Sequence, residues 1–290
     1  MDLSSTVIIW RDVTLYGHRD LGRFTFSELD GWDSLPDARQ DSNARPQAHG
    51  RFDAEVFSDE RHVMASGLCQ TAAERDAMLA ELQASFNFSA RTPLPLRITH
   101  AGRTLTADAR LLRFKPTPVN WGAGFFGWAA EWVCADPLRY GDPVSVPTTF
   151  PTLRGGLEYD LYTDGTTDTG YLEYGAASDT GRIMVTNTGS AEASVLFQVA
   201  GLVDSLGFDI AQIDTDKRLR FVGPVATGST LVMDGGTGNV LIDGSGERGG
   251  QLIIRDWPLI GPHSSVELAF IPLGSTTNAR LTAVVRPGSW

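Results

Sequence analysis

The stretch Glu131-Trp-Val-Cys-Ala-Asp-Pro-Leu-Arg-Tyr-Gly141 decides how this chain is read. A run of strand-forming residues stops at Asp136-Pro137, and Pro143, Pro147 and Pro151 follow in close succession. Proline donates no ladder hydrogen bond and pushes the residue before it toward extended geometry, so no central strand is expected across this stretch. The chain is thereby cut into two β-rich halves of nearly equal size, 1–145 and 146–290.

A length of 290 residues fits two domains. Each is near the size that buries about 68–70% of its unfolded surface and holds its own core. The hydrophobic share of 42% and charged share of 20% are those of an ordinary globular chain, and no apolar run approaches the ~20 residues that span a bilayer. Met1-Asp2-Leu3-Ser4 lacks the basic and apolar regions of a secretory signal, so synthesis and folding in a cytoplasm are expected. Cys69 and Cys134 stand singly in apolar surroundings without a metal-ligand spacing, and are expected as buried, reduced thiols. The net charge of -11 is shared unevenly: 15 basic and 19 acidic residues through Ser145, 9 and 16 beyond it. With no clustered Lys or Arg, stable nucleic-acid binding is not expected.

In the first half, Val7–Trp10 and Val13–Tyr16 read as an opening strand pair and 24–29 as a further strand. The polar, aperiodic passage 33–46 predicts a surface loop or an extended hairpin arm. Strands are expected over 52–57 and 61–69. Thr71-Ala-Ala-Glu74 has the spacing of a capping box, and Met78, Leu79, Leu82 and Phe86 recur at helical period, which predicts one helix near 71–86 laid on a sheet. Segments 94–99, 102–114 and 127–134 complete a sheet or sandwich carrying one helix. The second half shows no helical period. It reads as strands at 157–162, 170–174, 182–187, 193–199, 208–214, 218–222, 230–234, 240–243, 251–255, 265–272 and 279–285, the pattern of a two-sheet sandwich of jelly-roll type.

Candidate chemistry is sparse. His18, His49, His62, His100 and His263 are scattered, none in a metal-ligand spacing, and the serines lack a nucleophile elbow. No catalytic, cofactor-binding or metal-binding residue is assigned, and no cofactor is expected. The passage 230–244 is read as a hairpin with Asp-Gly and Gly-Asn turns rather than a calcium loop, since it lacks a dense set of oxygen ligands. Gly244-Ser-Gly-Glu-Arg-Gly-Gly250 lacks the ending of a phosphate loop and is read as a mobile loop. The aromatics of Trp121-Gly-Ala-Gly-Phe-Phe-Gly-Trp128 are read as core fillers before a ligand platform.

Several strings, in order, carry a resemblance: Cys134-Ala-Asp-Pro137, Arg218–Gly223, Gly228–Asp234, Asn239–Asp243, Trp257-Pro-Leu-Ile-Gly-Pro262 and Ala279–Arg286. Together they resemble the distal tail proteins of long-tailed phages. The chain departs in one turn, where His263 follows Pro262 in place of that family's Pro-Gly. The resemblance implies a non-enzymatic virion protein, made in the host cytoplasm, of which six copies form a ring at the phage tail tip. The first half would build the ring and a galectin-like second half would decorate it. Implied partners are further copies of the chain, the tail-tube protein, the tail-tip hub protein and receptor-binding proteins. The sugar-contacting patterns of true galectins are absent, so carbohydrate binding does not follow from the likeness. Two other classes compete. One is a carbohydrate- or receptor-binding module using Trp257, Tyr159, Tyr162, Tyr171 and Tyr174; the other is a hydrolase with paired carboxylates.

Overall fold

The computed structural model describes residues 3–18, 20–40, 43, 45–47, 49, 51–69, 75–118, 126–151, 179–274 and 278–290. The chain divides into two compact units, Met1–Asp142 with Gly288–Trp290, and Pro143–Pro287. Sequence reading assigns the closing residues to the second half, whereas the fold returns them to the first.

Unit 1 opens with β1 (Val7–Trp10) and β2 (Val13–Tyr16), antiparallel with Trp10 opposite Val13. The expected strand over 24–29 is shorter: only β3 (Glu28–Asp30) is a strand, and Thr25 meets Tyr16 by an isolated parallel bridge. Its alternation still does its work, since Phe24 and Phe26 are buried. Next come β4 (Ala38–Gln40), β5 (Val56–Ser58) and β6 (Arg61–Cys69), then α1 (Arg75–Ser85), β7 (Leu94–His100), β8 (Arg103–Pro118), β9 (Phe126–Cys134) and β10 (Arg139–Tyr140). The main sheet runs β2-β1-β7-β8-β9-β6-β3, with β10 added to β8.

The long β8 gives its first part to β7 (Leu94 opposite Ala109) and its second to β9 (Pro118 opposite Phe126), with a register shift between Leu111 and Arg113. An extra residue in one strand bends it and raises its twist, so one strand serves both halves of the sheet. The helix closes the core: Met78, Leu82 and Phe86 are buried, as their spacing predicts, and the capping box at 71–74 lies outside the described residues. Phe86 stacks on Phe114 at 4.8 Å and meets Trp132 at 5.7 Å, while Trp10 meets Trp132 edge-on at 5.8 Å. Such pairs contribute about 0.5–1.5 kcal/mol each beyond the area they bury. Gly67 on β6 passes so close to the 25–26 backbone that a Cβ would lie 2.1 Å from the Thr25 carbonyl oxygen, which only glycine permits.

Unit 2 begins inside the Pro-rich connector, where sequence reading expects no strand in the middle of a sheet. Val144–Thr149 forms β11, and it lies at the edge of its sheet, so Pro147 forfeits no central ladder bond. There follow β12 (Arg182–Asn187), β13 (Ala193–Leu202), β14 (Phe208–Gln212), β15 (Arg218–Phe221), β16 (Thr230–Asp234), β17 (Val240–Ile242), β18 (Gly246–Glu247), β19 (Leu252–Arg255), β20 (Leu259–Ile260), β21 (Ser264–Pro272) and β22 (Asn278–Val285). The strands expected at 157–162 and 170–174 lie outside the described residues. Two antiparallel sheets result: β11-β22-β13-β16-β17-β18, with β20 on β13, and β12-β21-β14-β15-β19. Alternate residues of both, such as Val195, Phe197 and Leu281 against Ile210, Leu219 and Phe270, form one buried cluster, the arrangement of a β-sandwich. The chain then re-enters unit 1 as β23 (Gly288–Ser289), pairing with β10.

Candidate functional site

Among the described residues, the histidines do not converge. His18 sits beside Asp20 at 3.6 Å, His100 shares a 2.7 Å hydrogen bond with Thr6, and His62 has Glu60 at 3.2 Å and Glu131 at 3.6 Å. His263 occupies a left-handed turn position, φ 49. Among the described residues no group of three His, Cys, Asp or Glu side chains is placed to hold a metal ion.

The turns resolve as hairpins. Asp234 accepts from the Gly236 amide at 2.8 Å and the Thr237 hydroxyl at 2.8 Å, and Asp243 accepts from the Thr230 amide at 2.9 Å, so both carboxylates tie turns. Asp243 (φ 51) and Gly244 (φ 74) supply the two left-handed residues of a tight β17–β18 connection. The passage 244–250 is therefore not the loop expected: it carries β18, and the Arg255 guanidinium donates to the Gly249 carbonyl at 2.7 Å. Within 121–128, Phe126 and Trp128 are buried core, with the Trp128 indole donating to the Thr25 carbonyl at 3.2 Å. Residues 121–125 lie outside the described residues, as do Tyr159, Tyr162, Tyr171 and Tyr174. Trp257 packs against the core of unit 2 and is partly buried.

Sequence reading missed a guanidinium clamp in unit 1. Arg61, 1% exposed, donates to the carbonyls of Pro137 (2.8 Å), Gly31 (2.8 Å), Trp32 (3.0 Å) and Ser34 (2.7 Å). Burial, and then the neighbouring Arg139, push its pKa down to about 10, so it is charged at neutral pH. Arg139 is held by Asp33 at 2.9 Å, lies over the Trp32 ring and donates to the Trp290 carbonyl, and burial lowers its pKa too. The partners are mostly backbone carbonyls, which leave no pattern in a sequence. Cys69 and Cys134 are buried free thiols, as expected, each pushed up to about 12 by desolvation.

This clamp holds residues 31–34, just before an exposed two-stranded element of the unit. β4 and β5 form a two-stranded arm, with Arg39 opposite Phe57, and among the described residues these two strands pair only with each other. The Asp59 amide donates to the Asp37 carbonyl at 2.7 Å and the Phe52 amide to the Asn43 carbonyl at 2.9 Å. Every residue of β4 is exposed, and Leu35 (73%), Phe52 (55%), Val56 (58%) and Phe57 (53%) hold apolar side chains in solvent. A lone two-stranded ribbon is marginal in water, and this one carries apolar side chains in solvent.

No protein-family model and no curated protein sequence matches the chain. Solved structures do. The crystal structure of the Dit protein of phage SPP1, described as a paradigm of the hub adsorption apparatus in phages infecting Gram-positive bacteria, aligns over 98% of this chain and 98% of its own, with a TM-score of 0.66 at 14% identity. The chain has the Dit fold. Chains of the phage P2 baseplate in its activated conformation, solved with calcium and with strontium, align more distantly over 96% of this chain and 97% of theirs, at 10% identity and TM-scores of 0.47 and 0.45. The Dit fold extends through both units, because the alignment with the SPP1 protein leaves out only 2% of either chain.

Proposed function

We propose that this chain is a structural protein of a phage tail tip, a hexameric ring that joins the tail tube to the tail-tip hub and adsorption apparatus. The observation that carries the reading is the end-to-end likeness to the SPP1 Dit protein. The exposed arm of unit 1 supports it, being an element without a core of its own. A heterologous, head-to-tail contact closes into a ring when its rotation fits, and an arm that reaches a neighbour supplies such a contact. Unit 1 would build the ring, and unit 2, a galectin-like sandwich on this reading, would be dispensable for closure. The tail-tube protein, the hub protein and receptor-binding proteins would be its partners in the virion.

Light scattering on the purified full chain tests this, with a mass of six copies of 31.4 kDa expected. A monomer at every concentration, together with no binding to tail-tube or hub protein, would sink the reading.

A further inference from the structure

The chain leaves unit 1 after β10 and returns to it as β23. Arg139 is opposite Ser289 and Tyr140 opposite Gly288, so these are the two strands of an antiparallel hairpin. Unit 2, Pro143–Pro287, stands where that hairpin would have its turn. Its own ends lie as close together, because β11 pairs with β22 and puts Val144 opposite Val285. Between the two ladders lie 141–143 and 286–287, where Pro143 and Pro287 bring no amide hydrogen to a ladder.

Each unit closes a core from its own segments. Among the described residues, the buried cluster of unit 1 runs from Ile8 to Cys134 and that of unit 2 from Phe150 to Val285. Asp142, the last residue before the insertion, has Arg97 of β7 at 3.6 Å. A turn accepts a whole inserted body when the ends of that body are close, since the host strands then have no long loop to close. Gly141-Asp142 would serve as the turn without it. Joined to Gly288, these two residues stand between the paired Tyr140 and Gly288, and a two-residue turn of type II′ takes Gly at its first central position.

We infer that unit 2 is a module inserted at the β10–β23 turn, and that unit 1 is a complete ring-forming body when 1–142 is joined directly to 288–290. Closure of the ring rests on the reading above; the place of the insertion rests on the strand pairing alone. A chain cut once, at the proline-rich connector, would discard β23 and with it part of unit 1.

The test begins with the full chain. Phe197 is fully buried in unit 2, and Phe197→Ala is expected to speed the slowest amide exchange within 143–287 by about a hundredfold or more, leaving β6, β8 and β9 unchanged. Equal acceleration in β6, β8 and β9 would mean one cooperative body and overturn the inference. The second arm is the joined chain, made with Asp142 bonded to Gly288 and again with Gly-Ser between them. It is expected to unfold in one cooperative transition, to exceed the stability of 1–142 lacking 288–290, and to show the same number of copies by light scattering as the full chain. Failure of both joined versions to fold, or equal stability of 1–142 alone, overturns the insertion. A folded monomeric joined chain beside a hexameric full chain overturns closure by unit 1. A monomeric full chain removes the ring reading, and the insertion is then decided by the exchange and folding results.

Discussion

Arg61 shows how one side chain sets the geometry of a whole region. Its guanidinium collects four carbonyls from segments far apart in sequence, 31–34 and Pro137, and so joins the root of the arm to the end of β9. A planar fork of donors does this better than a point charge, which makes Lys a poor substitute. Replacing it by Met would leave the carbonyls of Gly31, Trp32 and Ser34 without this donor. Buried acceptors that lose their partner cost about 1–3 kcal/mol each, so Arg61→Met is expected to destabilise unit 1 by roughly 3 kcal/mol or more. Denaturant unfolding of the full chain checks this: the loss should fall in the transition reported by the Trp10, Trp128 and Trp132 cluster. A loss below about 0.5 kcal/mol, the range of an ordinary surface change, would mean that the clamp is incidental.

Elements depend on partners that the sequence order hides. The short β23 forms only because β10 offers an open side: Arg139 pairs with Ser289 and Tyr140 with Gly288. Side chains reinforce it, with Arg103 donating to the Ser289 hydroxyl at 2.7 Å and Arg139 to the Trp290 carbonyl. Deleting Gly288–Trp290 would remove these bonds and leave the buried Arg139 guanidinium with Asp33 as its remaining hydrogen-bond partner among those described. The expected result is a loss of about 2–3 kcal/mol in unit 1, with unit 2 unchanged because its core residues lie wholly within 143–287. Hydrogen exchange localises the effect, and faster exchange confined to 143–287 would contradict the assignment. The helix is a plainer case. Its periodic Met78, Leu82 and Phe86 are legible in the sequence and buried in the structure, since an amphipathic stripe has one place to go.

For the whole molecule, charge makes a prediction that is independent of the fold. A chain of net charge -11 has few guanidiniums to spare, and several are tied down: Arg61 to carbonyls, Arg139 to Asp33, Arg220 to Asp209 at 2.6 Å and Arg182 to Glu267 at 3.4 Å. Affinity for duplex DNA depends on cations that displace counterions from phosphates. Electrophoretic mobility of duplex DNA is therefore expected to be unaffected by the protein at physiological salt. Tight binding that weakens steeply as salt rises would contradict it.

What the sequence by itself determined is periodic or punctuated. Strand alternation placed most strands of both units to within a residue or two, the 3.6-residue period placed α1, and the prolines after Asp136 marked the passage between the units. These signals are local, because burial of one face of a strand or helix repeats along the chain. Tertiary structure alone decided the rest. That Val144–Thr149 serves as an edge strand, that 244–250 is held by β17 and Arg255, and that Gly288–Ser289 belongs with β10 all depend on which segments lie opposite. The clamp of Arg61 depends on residues brought together from distant parts of the chain. Contacts to backbone carbonyls have no residue code, so a sequence cannot announce them.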